Sequence, residues 1–128
     1  MRSTRTSGLV VVAVGFVLLI SACSSDDRTG ALVVADPSAT EFDYDYLIPF
    51  GTGELFDSGE FIEILPAELE VTVGEVLRIV NEDERDHLVG PFFVGAGETL
   101  TQRFSTSGEF EGLCTVHPSG QFVLVVNP

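Results

Sequence analysis

Cys114-Thr115-Val116-His117 sets a thiol and an imidazole three residues apart, and His87 supplies a second imidazole from a different segment. These are the only two histidines of the chain, and Cys114 is one of only two cysteines. A soft thiolate with two imidazoles is the donor set of a trigonal His₂Cys copper site. If the segments of His87 and Cys114 meet, the chain can hold one copper ion and pass single electrons through it. The same Cys114–His117 pair has the composition of a thiol nucleophile and its base. A chain of 128 residues offers no second lobe to form a cleft, so catalysis is not expected. A nucleotide enzyme is excluded too, since there is no glycine-rich phosphate loop and no βαβ pattern.

The elements that must position these residues read as strands. Glu41-Phe42-Asp43-Tyr44-Asp45-Tyr46 alternates acid with aromatic, the period of a half-buried strand, and Phe50-Gly51-Thr52-Gly53 breaks it. Further strands are expected at 60–65, 68–73, 76–81, 88–94, 99–104, 109–114 and 122–126, separated by Gly, Pro, Asn and Asp. Val71, Val73, Val76, Ile79 and Val80 give the β-branched content such strands need. The patch Ala31-Leu32-Val33-Val34 could pair as an edge strand. No stretch has the periodicity of a three-turn amphipathic helix. Short strands at this spacing predict an all-β fold, a Greek-key β-sandwich or barrel of about seven to eight strands. Ten phenylalanines are expected to supply much of its core.

The first residues carry an address. Arg2 and Arg5 precede an apolar run from Leu9 to Ile20, which is too short for a membrane span and suits the apolar region of a signal peptide. Ile20-Ser21-Ala22-Cys23 resembles a bacterial lipobox. That resemblance implies cleavage before Cys23 and a lipid on its sulfur. An ordinary secretory signal and an uncleaved anchor are the alternatives, and all three put the domain outside the cytoplasm. The expected organisation is a leader over 1–22, a tether over 23–40 and a domain over 41–128, held by its lipid at the outer face of the cytoplasmic membrane. With Cys23 lipidated, Cys114 has no partner in the chain, and metal ligation gives a lone thiol in an oxidising compartment a purpose. A Cys23–Cys114 disulfide is the competing reading.

Beyond Cys23 the chain has four arginines (Arg28, Arg78, Arg85 and Arg103), no lysine and all twenty carboxylates, a net charge of −16. Nucleic acid is excluded as a partner, because phosphate binding needs clustered cations. Such a surface steers a basic redox protein toward it, or simply keeps the domain solvated.

Taken in order, Leu69-Glu70-Val71-Thr72-Val73-Gly74-Glu75, Val76 to Asn81, His87, Ser107-Gly108-Glu109-Phe110 and Cys114-Thr115-Val116-His117-Pro118 resemble the cupredoxins, small blue copper proteins of the plastocyanin and amicyanin kind. The likeness spans Pro66 to the C-terminus. It implies copper ligation by His87, Cys114 and His117 and a role in electron transfer, with His117 as the exit for the electron. Pro91-Phe92-Phe93 and Pro118 would form an apolar rim. The methionine often found at the weak axial position is missing, since Met1 is the only one. The resemblance makes Gln121, four residues after His117, the candidate for that place through its amide oxygen. Leu88 stands where many members carry an asparagine that ties the two ligand loops together, so the tie must come from elsewhere. Gly112 likewise replaces a frequent aromatic. Zinc could take the same three donors, but a structural zinc site closes with four strong ligands. A copper carrier and a metal-free interaction domain remain the other readings.

Overall fold

The computed structural model describes residues 33–128; the leader, Cys23 and Arg28 lie outside them. Nine strands and one short helix follow in the order β1 (Val33–Ala35), β2 (Tyr44–Ile48), α1 (Thr52–Asp57), β3 (Glu68–Thr72), β4 (Val76–Asn81), β5 (His87–Val89), β6 (Phe92–Val94), β7 (Thr99–Phe104), β8 (Gly108–Leu113) and β9 (Gln121–Asn127). One sheet has the order β1-β7-β4-β2 and a second β3-β9-β8, with β5 and β6 forming a separate hairpin. The β2–β4 and β3–β9 pairs are parallel and the others antiparallel. The all-β class expected from the sequence is the one observed.

Alternation decides what each strand buries. On β3, Leu69 and Val71 point inward while Glu68, Glu70 and Thr72 point out. On β9, Phe122, Leu124 and Val126 point inward. Ile48, Leu77, Ile79, Phe104, Phe122 and Leu124 are fully buried between the sheets. Each contributes roughly 1.5–3 kcal/mol by leaving water. The core is more aliphatic than expected. Phe92, Phe104 and Phe122 are buried, but Phe50, Phe61 and Phe93 are largely exposed. Phe61 packs edge-on against Phe56 of α1 at 4.9 Å, outside the main core.

The strands depart most from the sequence reading in two places. Residues 60–65 form no strand: Phe61 and Ile62 face solvent, only Leu65 is buried, and the segment has no strand neighbour. The single strand expected over 88–94 is a hairpin instead. Gly90, at φ 57°, and Pro91 turn the chain, since glycine tolerates a left-handed backbone and proline lacks an N–H for the ladder. At the other end, Val33–Ala35 pairs with Phe104, Arg103 and Gln102. Arg103 also binds Asp36 through Nε at 2.8 Å. Val33 and Val34 thus pair at the sheet edge, as the apolar patch at 31–34 was expected to be able to do.

The hairpin packs onto the second sheet through backbone contact. A side chain at Gly112 would start 2.6 Å from Phe110 Cε1 and 3.1 Å from Gly90 Cα. One at Gly90 would start 2.6 Å from Phe122 Cδ1. Two glycines thus let β5 and β8 approach, and that approach builds the site.

Candidate metal centre

The segments of His87 and Cys114 meet. A β-bridge pairs Val89 with Cys114. Backbone hydrogen bonds flank it, from Gly90 N to Leu113 O at 2.7 Å and from Thr115 N to Leu88 O at 2.8 Å. His87, Val89, Cys114 and Val116 are buried, while Leu88, Leu113 and Thr115 are exposed, as alternation along both segments requires.

His87 is held on both sides. Its Nε2 lies 2.8 Å from Asp83 Oδ2 and its Nδ1 lies 3.1 Å from Thr115 Oγ1. Both His87 and Asp83 are only 4% exposed. Burial pushes the Asp83 carboxyl up, but hydrogen bonds from His87 and from the amides of Gly53, Glu84 and Gly51 outweigh it, so the carboxyl is lowered on balance. An ionised carboxylate only accepts, so Nε2 carries the hydrogen and donates it to Asp83. In a neutral ring the lone pair then lies on Nδ1, on the side of Thr115. Asp83 is fixed in turn by the first turn of α1, with Gly51 N at 3.0 Å and Gly53 N at 2.8 Å. A Cβ at Gly53 would lie 2.5 Å from Arg85 Cδ, which a flexible arginine can vacate, and 3.1 Å from Asp83 Oδ2.

Thr115 makes the tie between the loops. Its hydroxyl accepts from Leu88 N at 3.0 Å, and its own amide donates to Leu88 O. The link that an asparagine at 88 would supply comes instead from the residue after the cysteine.

Cys114 is 3% exposed. Burial raises its thiol above the ordinary cysteine range, and amides of Val116 and His117 aimed at the sulfur offset part of that rise. Those amides favour the thiolate, the form in which sulfur binds a metal. The turn behind them closes through Cys114 N to Gly120 O at 3.0 Å and Gly120 N to His117 O at 2.9 Å.

His117 is half-buried. Its Nδ1 accepts the Ser119 amide at 3.1 Å and lies 2.8 Å from Ser119 Oγ. A backbone amide can only donate, so Nδ1 is the unprotonated nitrogen of this ring as well. As arranged, the ring nitrogens that carry lone pairs face hydroxyls. Among the described residues no three His, Cys, Asp or Glu side chains converge as a metal site. The donor types fit copper in chemistry, two imidazoles and a buried sulfur with two amides supporting its anionic form, though both imidazole Nδ1 atoms are engaged by Thr115 and Ser119 as arranged.

Gln121 is placed differently from the axial position expected of it. It pairs with Leu113, and both side chains are exposed. Cys114, the next residue along, is buried and so faces the opposite side. Strand alternation therefore turns the Gln121 amide away from the sulfur. Phe92 faces in and Phe93 is 59% exposed, so only the second of the pair can contribute to an apolar rim.

The sequence puts Glu82, Asp83, Glu84 and Asp86 close enough to His87 to act on it, but does not single out Asp83 as its partner. It sits in the acidic run Glu82-Asp83-Glu84, followed by Asp86, and resembles solvated loop charge. Its position four residues before the histidine was the available signal. Nothing local separates it from its neighbours until α1 folds over it.

No protein-family model and no curated protein matches the chain. Solved structures similar to it include a point mutant of amicyanin in its Cu(I) form, 17% identical, covering 76% of this chain and 93% of that one with a TM-score of 0.45. Amicyanin from Paracoccus versutus is 15% identical over 74% of this chain and 97% of its own, with a TM-score of 0.46. A purple cupredoxin from Nitrosopumilus maritimus is 22% identical over 66% of this chain and 100% of its own, with a TM-score of 0.42.

Proposed function

We propose that the chain is a copper-binding electron-transfer protein, with His87, Cys114 and His117 holding one copper ion. One observation carries the reading. What supports it is that a backbone bridge joins the segments of His87 and Cys114, that amides of Val116 and His117 favour the Cys114 thiolate, and that a buried carboxylate holds His87 Nε2. Copper, when bound, supplies a reversible one-electron couple. The residues do the rest. Asp83 fixes the tautomer and plane of His87, as carboxylates do behind metal-bound histidines. The amides of Val116 and His117 support a thiolate at Cys114. The bridge between Val89 and Cys114 keeps the two segments in register, so the protein has little to rearrange as charge changes. Gln121 lies outside this donor set because its side chain faces away from the sulfur.

The leader sequence supports export and a lipid anchor on Cys23, which would hold the domain at the outer face of the membrane. No helix among the described residues is long and apolar enough to cross a membrane.

The test is an absorption spectrum and a voltammogram of the copper-loaded chain beside Cys114→Ser. Intense visible sulfur-to-copper charge transfer with a reversible one-electron wave, both lost in the variant, is expected. Identical spectra for the two proteins overturn the proposal. Copper bound tightly but without a wave would favour a carrier.

A further inference from the structure

The imidazole of His117 is held by one neighbour with two groups. Ser119 donates its backbone N–H to Nδ1 at 3.1 Å, and its hydroxyl lies 2.8 Å from the same nitrogen. A nitrogen that accepts an amide carries no hydrogen, so the hydroxyl donates to it as well. The other acceptor near that hydroxyl, Gln121 O, is farther off at 3.2 Å. In the neutral ring the hydrogen is then on Nε2, and the single in-plane lone pair is occupied by Ser119. His117 therefore has no nitrogen to offer a metal in this arrangement. Coordination through Nδ1 needs that lone pair. Coordination through Nε2 needs the hydrogen moved to Nδ1, where the Ser119 amide points. Either way the ring must first part from Ser119.

His87 is held more lightly on its Nδ1 side. That nitrogen faces one hydroxyl, of Thr115 at 3.1 Å, and the hydroxyl has a second acceptor in Leu88 O at 3.4 Å. Turning one hydrogen frees the lone pair while every heavy atom stays in place. A backbone amide has no such rotation, so His117 is freed only by moving its ring. The surroundings allow that movement. His117 is half-buried, whereas His87 is 4% exposed. The turn closes without the ring, through Cys114 N to Gly120 O and Gly120 N to His117 O. Gln121 N donates to Ser119 Oγ at 3.2 Å, so the hydroxyl keeps its place when the ring leaves.

We propose that Ser119 is a latch on the candidate metal centre, holding His117 closed against the turn until the ring is released to act as the third donor. The latch rests on the function proposed above and adds what regulates that site. If the closed arrangement is favoured tenfold, apparent affinity falls about tenfold, because only the open fraction binds. The hold opposes loading and favours release of the ion. A residue that merely shaped the loop would act in the opposite sense, since its removal would disorder the donors and weaken binding.

The full chain, labelled with ¹⁵N-histidine and kept free of metal, reads the latch directly at about pH 8, above the ordinary histidine range. Long-range ¹H–¹⁵N correlations should show His117 with its hydrogen on Nε2 and an Nδ1 that accepts a hydrogen bond. Ser119→Ala should move the Nδ1 signal toward that of a free lone pair. Affinity for Cu(I) is then measured against a chromogenic chelator. Ser119→Ala should bind roughly three- to tenfold tighter, the worth of one hydrogen bond, while its melting temperature stays level or falls. Ser119→Thr keeps the hydroxyl and should stay within about twofold of the wild type. Copper held by the wild type but no more tightly by Ser119→Ala overturns the latch and leaves the functional reading standing. So does a protonated Nδ1 in the metal-free wild type. A wild type that holds copper no better than Cys114→Ser overturns both. If the alanine variant does not fold, the wild-type His117 signals decide alone.

Discussion

His87 Nε2 meets Asp83 Oδ2 at 2.8 Å with both side chains almost wholly out of water. The contact joins three parts of the chain, because the same carboxylate accepts the amides of Gly51 and Gly53 at the start of α1. One acidic residue thus sets the tautomer of the candidate ligand and secures the helix to the sheet.

Asp83→Asn should therefore act on stability and on the site together. An amide can accept through only one oxygen, and its NH₂ group faces donors that the carboxylate satisfied. A loss of about 2–4 kcal/mol is expected in urea titrations, the range for breaking a buried charged network. Copper affinity should fall about 10–100-fold in competition with a chelator.

The sign of the pH dependence follows from the same residue. The folded Asp83 carboxyl lies below its unfolded value. Its contribution is present in full above the ordinary carboxylate range, near pH 4, and is lost as pH falls through the depressed folded value. The wild type should lose stability on acidification over that window. Asp83→Asn, starting lower, should show a shallower slope in melts taken from pH 6 to pH 3.

Cys114 should be slow to react in the folded chain without metal. Its thiol is buried and its pKa raised, so little thiolate is present at neutral pH and access is poor. Iodoacetamide labelling should run at least about tenfold slower than in urea. Raising the pH should speed it. Equal rates with and without urea would contradict the burial.

Thr115→Val keeps the shape but removes the hydroxyl between His87 Nδ1 and Leu88 N. A cost of about 1–2 kcal/mol is expected from the unpaired amide and imidazole. Thr115→Ser should recover most of it. Amide exchange at Leu88 is the sensitive readout and should quicken in the valine variant only.

Gly112→Ala should separate β5 from β8. The new methyl would begin 2.6 Å from the Phe110 ring and 3.1 Å from Gly90 Cα. The ring can turn but the backbone cannot. Overpacking of this kind costs about 1–3 kcal/mol. Because the β5–β8 approach positions His87 against Thr115, copper affinity should fall with stability.

The sequence by itself determined several strands that clear turn residues bound. Residues 76–81 and 99–104 fall where the pattern puts them, and 68–73 is shortened by one residue. Each lies between clear turn residues, and 68–73 also alternates with a two-residue period. Residues 60–65 show why the pattern can mislead. Phe61, Ile62 and Ile64 are apolar enough for a strand, but a strand also needs a neighbouring edge, and local sequence says nothing about edges. The types and spacing of His87, Cys114 and His117 were likewise legible, as was the absence of a methionine donor. Tertiary structure alone decided how they are served. It buried Asp83 and left Glu82 and Glu84 in water, because only Asp83 faces the first turn of α1. It gave Thr115 the task of linking the two loops and turned Gln121 outward in register with Leu113. Those outcomes depend on which segments cross in space, and that is set by the packing of two sheets and a hairpin, not by any run of neighbouring residues.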